Sequence, residues 1–150
     1  MDKKGLNLVE LIVVVVILAT LITIAIPAYQ NTQERALDKE AVSSLKLIRS
    51  AERSYYMDMG KFYPESATTE SDHTNINNNL KMLLPTTTGG NVVNWNYTIT
   101  NTAPLTVASG VTLKATRNVT TGGRNWSMTA DLEKPGCTAG GTGSAGVCPP

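Results

Sequence analysis

Residues 3–30 read KKGLNLVELIVVVVILATLITIAIPAYQ, and the fold turns on whether this stretch is a disposable signal or a permanent helix. From Leu6 to Ile26 every residue is apolar except Asn7, Glu10, Thr20 and Thr23. At ~1.5 Å rise per residue the 21 residues make a helix of ~30 Å, the thickness of a bilayer's hydrocarbon core. A carboxylate inside such a segment is costly unless something compensates it, so Glu10 asks for a partner. The run is longer than the ~7–15 residues of a secretory signal, and no A-x-A cleavage site follows it. No cysteine follows it either, which excludes a lipoprotein anchor.

Lys3 and Lys4 precede the segment and the next basic residue is Arg35, so the positive-inside bias keeps the N-terminus cytoplasmic and exports the rest. The two cysteines, Cys137 and Cys148, lie on the exported side. An even count in that compartment fits one disulfide; a metal site is the alternative, and it lacks nearby histidine ligands. Closing the Gly-rich loop CTAGGTGSAGVC is worth roughly 2–3 kcal/mol. The charge balance, 13 basic against 12 acidic residues, gives no reason to expect a polyanion. Aromatic residues are sparse and no basic stripe interleaves them, so no nucleic-acid partner is expected.

Catalysis finds little support. His73, the single histidine, sits in TTESDHTN without a nucleophile–base arrangement or metal-ligand spacing. Glu65, Glu70 and Asp72 match no calcium-loop template. No catalytic residue, metal or cofactor is therefore expected, and a membrane-anchored exported enzyme is the weakest of the functional alternatives.

Beyond the apolar run, Leu37, Ala41, Leu45, Ile48, Ala51 (or Glu52), Tyr55 and Met59 recur at helical spacing, with Asp38, Lys39, Glu40, Lys46, Arg49 and Arg53 on the other faces. Gly60 is placed to cap this helix and Pro64 to prevent its resumption. Pro27 removes the hydrogen bond to the Thr23 carbonyl, which predicts a bend or local melting, with the Thr20 and Thr23 hydroxyls available to freed carbonyls. A polar stretch follows, read as a surface loop with one short helix and an apolar patch at Leu80, Met82, Leu83 and Leu84. The period then changes to two: Trp95, Tyr97, Ile99; Val111, Leu113, Ala115; and Trp126, Met128, Ala130, Leu132. Three antiparallel strands with one apolar face would bury the stripe of the long helix, an α+β fold in which a small sheet needs the helix for stability.

The ordered set formed by a short basic leader, Gly5, Leu6, Glu10 five residues past the glycine, and the AIPAY that ends the span resembles the N-terminal signal of type IV pilins and the related pseudopilins. The helix-ending YYMDMGKFYP is similar to a pattern common in that family. The resemblance implies a pilin-like fold and a division into leader 1–5, transmembrane and assembly half 6–27, amphipathic half 28–60, connecting loop 61–91, antiparallel sheet 92–134 and disulfide-bounded tail 135–150. It implies cleavage between Gly5 and Leu6 by a prepilin peptidase and N-methylation of Leu6. Glu10 would then pair with the new α-ammonium of an adjacent subunit, and Pro27 would mark a stretch, Ala19–Pro27, that melts in the filament. Leu6 and Asn7 stand where the family most often has Phe and Thr. The implied partners are further copies of the chain or other pilins, the prepilin peptidase, an inner-membrane assembly platform and the membrane itself. The implied location is the bacterial inner membrane for the precursor and the cell surface for the filament. Pilus subunit and type II secretion pseudopilin are both compatible with the signal; the C-terminal cysteine pair and the five-residue leader resemble the pilin class.

Overall fold

The computed structural model describes residues 8–86, 93–102, 104–119, 123–140 and 148, apart from the side chain of Pro27. Gly5 and Leu6 lie outside the described residues. The chain is a long N-terminal helix packed on a small antiparallel sheet. Helix α1 runs unbroken from Leu8 to Met59, 52 residues. It passes through Pro27 as helix, so the local melting expected there is absent from the isolated chain. The neighbouring hydroxyls also differ from expectation: Thr20 donates to Ile17 O and Thr23 to Ala19 O, each a carbonyl within its own preceding turn. The Thr23 carbonyl, the one Pro27 deprives, is not their target.

The helix stops where the chain needs a left-handed residue. Gly60 has φ +72° and donates its N–H to Tyr56 O at 2.9 Å, a geometry in which any side chain would be strained. Phe62 N–H then bonds Leu105 O, turning the chain onto the sheet.

Five strands form the sheet in the order β1 (Thr69–Glu70), β2 (Trp95–Asn101), β3 (Val111–Arg117), β4 (Asn125–Thr129) and β5 (Gly136–Thr138), every pair antiparallel. The register sets Tyr97 opposite Ala115, Ile99 opposite Leu113, and Leu113 opposite Met128, so alternate residues share one face. That face, with Trp95 and Val111, closes over Ala41, Leu45 and Ile48 of α1 in a single core. The three central strands are those the alternation marks, although β4 ends at Thr129, leaving Ala130 and Leu132 beyond it. The two edge strands are additional. They place sheet residues within the stretch read as loop (61–91) and within the C-terminal tail (135–150).

Helix α2 (His73–Leu80) lies in the Asn-rich segment, ahead of the apolar patch. Asp72 caps it by accepting from Thr74 N at 2.7 Å, and Lys81, in left-handed conformation, ends it. The patch is extended: Met82 and Leu84 point inward, Leu83 is 90 % exposed, and the Asn77 amide brackets the Leu84 backbone with two hydrogen bonds.

Candidate assembly site

The functional feature of the fold is a division within one helix. From Leu8 to Ile26 the large apolar side chains of α1 are all more than half exposed, whereas from Leu37 onward the helix is locked to the sheet. By length and composition α1 is the one helix among the described residues able to cross a membrane. Glu10 lies in its first turn and is exposed. An apolar rod of this length left without cover in water would aggregate, so its environment is either lipid or other protein.

The second half of α1 is held by charge as well as by packing. Arg124, one residue ahead of β4 and almost wholly buried, donates Nε to Asp38 Oδ1 at 2.5 Å and an Nη to the Glu34 carboxylate at 2.9 Å. The same guanidinium donates to Glu34 O at 3.1 Å. Trp126 Nε1 donates to Asp38 Oδ1, and Trp95 Nε1 to Leu37 O. Arg117 lies 3.6 Å from Glu34 and over the Trp95 ring at 5.6 Å. In the other direction, Arg49 of α1 reaches Ala130 O and Asp131 O, just past the end of β4. Removing one member of such a desolvated set strands its partner's charge, at a cost on the order of 3–5 kcal/mol. The helix is thereby fixed in rotation, so the face that the exposed rod offers to any partner is fixed with it.

Asp38 is a correction to the helical-face reading, which set it with the solvent-facing charges; it is 6 % exposed because Arg124 and Trp126 cover it. The arginine partners escaped the sequence reading because they lie 86 and 90 residues away in the chain. The one local signal is the acidic pair Glu34 and Asp38, four residues apart beside the stripe residues Leu37 and Ala41.

Of the pair that the sequence offered for the stripe, Ala51 packs against the core partly buried and Glu52 goes deeper. Glu52 is fully buried: one carboxyl oxygen accepts Tyr63 N–H at 3.0 Å and the other has no partner among the described residues. Burial pushes its pKa from the ordinary 4.5 to about 8, against the lowering effect of the Tyr63 hydrogen bond. Asn101 holds the same segment from the sheet side, donating to Phe62 O and Pro64 O. Tyr55 and Tyr63 stack edge-on at 5.9 Å, both pushed up to about 12, chiefly by burial and then by Glu65 and Glu70 beside them.

Glu70, one of the three residues weighed for calcium, accepts from the N–H groups of Ser71 and Asp72, from Asn75 and from the Tyr63 hydroxyl. It closes the turn between β1 and α2. Among the described residues no group of three or more His, Cys, Asp or Glu side chains could hold a metal ion. His73 is likewise structural: its Nδ1 lies 2.6 Å from Pro85 O, and its Nε2 accepts Tyr97 N–H at 2.9 Å.

Cys137 and Cys148 form a disulfide with Cα atoms 5.9 Å apart. Cys137 belongs to β5 and stands opposite Trp126, so the bond ties Cys148 to the sheet edge beside the Arg124 cluster. Gly140 backs directly onto Gly123, where a Cβ would overlap the Gly123 carbonyl.

Comparison with known proteins gives a coherent set of relatives. The type IV major pilin PilE1 of Neisseria gonorrhoeae is 39 % identical over 66 residues, 44 % of this chain and 39 % of that one. A fimbrial protein of Pseudomonas aeruginosa is 39 % identical over 66 residues, 44 % of this chain and 42 % of that one. The type IV major pilin PilA of Myxococcus xanthus is 34 % identical over 60 residues, 40 % of this chain and 27 % of that one. The matches thus span less than half the length of these relatives. No protein-family model and no solved structure matches the chain. Over part of its length the chain is thus similar to type IV pilins, and its long apolar helix on a small antiparallel sheet is a pilin-like arrangement.

Proposed function

We propose that the chain is a structural subunit of a bacterial type IV pilus and performs no catalysis. It is made as an inner-membrane precursor held by α1, cut between Gly5 and Leu6 by a prepilin peptidase, and N-methylated at Leu6. The assembly platform then moves it into a surface filament in which the apolar rods of many copies cover one another. The observation that carries this reading is the rod itself: apolar side chains exposed from Leu8 to Ile26, continuous with a helix half pinned to a folded domain. Such a shape can leave lipid only for a surface as apolar as lipid, and other copies of the rod supply one.

Cleavage would create an ammonium at Leu6, charged at neutral pH, and Glu10 follows four residues on, ~6 Å along the helix. With no ion pair of its own among the described residues, the Glu10 carboxylate gains a cation when a neighbour's terminus arrives, which favours addition of subunits over their dispersal in lipid. The disulfide near the C-terminal end supports the pilus over the secretion pseudopilus.

Intact-mass measurement and N-terminal sequencing of filaments sheared from cells test the reading. The expected product begins at a methylated Leu6, and a bulky residue in place of Gly5 should leave the precursor uncut in the membrane. Efficient loss of residues 1–5 from that variant contradicts the processing step, and the absence of this chain from any filament contradicts the function.

A further inference from the structure

The α1–β4 junction carries a feature the rod does not explain. An open groove of about 560 Å³ runs beside α1, lined by Arg35, Asp38, Lys39, Val42, Ser43, Lys46 and Trp126. Asp38 is already neutralised by Arg124. Arg35, Lys39 and Lys46 are exposed and make no ion pair among the described residues, so the groove presents three cations around an apolar floor. At the far end of the domain the charge reverses. Glu65, Glu70 and Asp72 gather around the Tyr55–Tyr63 pair: Tyr55 OH donates to Glu65, Tyr63 OH to Glu70, and Glu70 accepts Asp72 N–H. Lys61 at 2.7 Å from Glu65 is the one cation paired there among the described residues. Its hydrogen bond, with that of Tyr55, holds Glu65 below the usual carboxylate range; the Asp72 N–H does the same for Glu70.

We propose that this groove is the socket for the acidic β1–α2 corner of a second copy of the chain. Lys39 and Tyr55 are separated by roughly 24 Å along α1, so the two charged surfaces sit at opposite ends of one domain and can meet only between copies. A contact between different patches on identical subunits is head-to-tail, and wherever its rotation does not close a ring it generates an open helical array. The membrane is excluded as occupant by distance. Lys39 stands roughly 20 Å beyond Ile26 along the helix, whereas the headgroup layer beyond the hydrocarbon is only about 5–8 Å deep. The socket rests on the pilus-subunit reading and adds to it a polar contact that fixes how one domain sits on the next.

Zero-length carbodiimide coupling of wild-type filaments, which joins amines only to carboxylates already in contact, tests it. Peptides linking Lys39 or Lys46 to Glu65, Glu70 or Asp72 are expected. Reversal of the socket (Arg35→Glu, Lys39→Glu and Lys46→Glu together) should lower filament yield at least fivefold at unchanged membrane amounts of cleaved subunit, and added Glu65→Lys should recover part of it. Filaments whose couplings never involve the groove lysines, or normal yield from the reversed socket, overturn the socket and leave the pilus reading standing. A reversed socket that assembles normally but loses an adsorbed polyanion assigns the groove to that ligand and likewise overturns it. Absence of filaments from the wild-type chain overturns both readings.

Discussion

Glu52 shows how a single residue can be placed correctly by pattern and still surprise in its chemistry. Helical spacing put Ala51 or Glu52 on the buried stripe; the structure packs a partly buried Ala51 against the core and buries Glu52 fully, its carboxyl group accepting Tyr63 N–H. The consequence is a pH dependence of definite sign. The folded state keeps the Glu52 proton up to about pH 8, whereas the unfolded chain releases it near 4.5. Stability from this group is therefore fully present below 4.5 and is lost as pH rises through the window to about 8. Glu65 and Glu70, both lowered, act oppositely, contributing stability above their unfolded values that is lost as pH falls. In detergent-solubilised full-length protein, Glu52→Gln should remove a fall on the order of 3–4 kcal/mol between pH 5 and 8. Subtracting the variant's denaturation profile from the wild type's isolates this group, and a flat difference over that range contradicts it. Gly60 was legible for a local reason, since a helix end followed by proline calls for a left-handed residue. Arg124 was not, because nothing near it in sequence records that two acids on α1 await it.

At the scale of elements, what the sequence made legible was whatever had a period. The helix stripe and the three central strands each repeat long enough to show one; β1 and β5, with two and three residues, do not, and they exist because β2 and β4 offer open edges. His73 belongs with them. The β1 strand pairs only with Thr100 and Ile99, then leaves the sheet for α2, and the imidazole of His73 takes up the Tyr97 N–H that the strand abandons. Its other nitrogen, facing Pro85 O, must then carry the hydrogen, so the ring bridges sheet and loop as a fixed neutral tautomer. His73→Ala strands the part-buried Tyr97 N–H, while the exposed Pro85 O turns to water, and should cost about 1–3 kcal/mol. Amide hydrogen exchange gives the specific readout: protection at Tyr97 should fall, while Ile99, paired through Glu70, keeps its own. Unchanged protection at Tyr97 contradicts the bridging role.

On the scale of the whole molecule, the chain has one helix in two environments, and Glu10 is the residue whose removal separates them. In the monomer an exposed Glu10 within an apolar rod only adds cost, so Glu10→Ala should leave insertion in the membrane unchanged or improved. The folded domain begins its contacts at Glu34, 24 residues beyond Glu10, and should be unaffected. Assembly is different. If Leu6 ammonium and Glu10 carboxylate meet between neighbours, the alanine variant strands one cation per subunit in an apolar interior, at on the order of 3–5 kcal/mol each. A filament repeats that loss at every step of growth, so even the lower figure disfavours each addition by more than a hundredfold at 25 °C, by the relation of 1.4 kcal/mol per factor of ten. The expected result is a normal membrane pool of cleaved subunit with filaments scarce or absent, measured in cells lacking any other pilin. Glu10→Asp, which keeps the charge but shortens its reach, should fall between alanine and wild type. Wild-type filament yield from Glu10→Ala would mean that the carboxylate serves the lone helix rather than its neighbours.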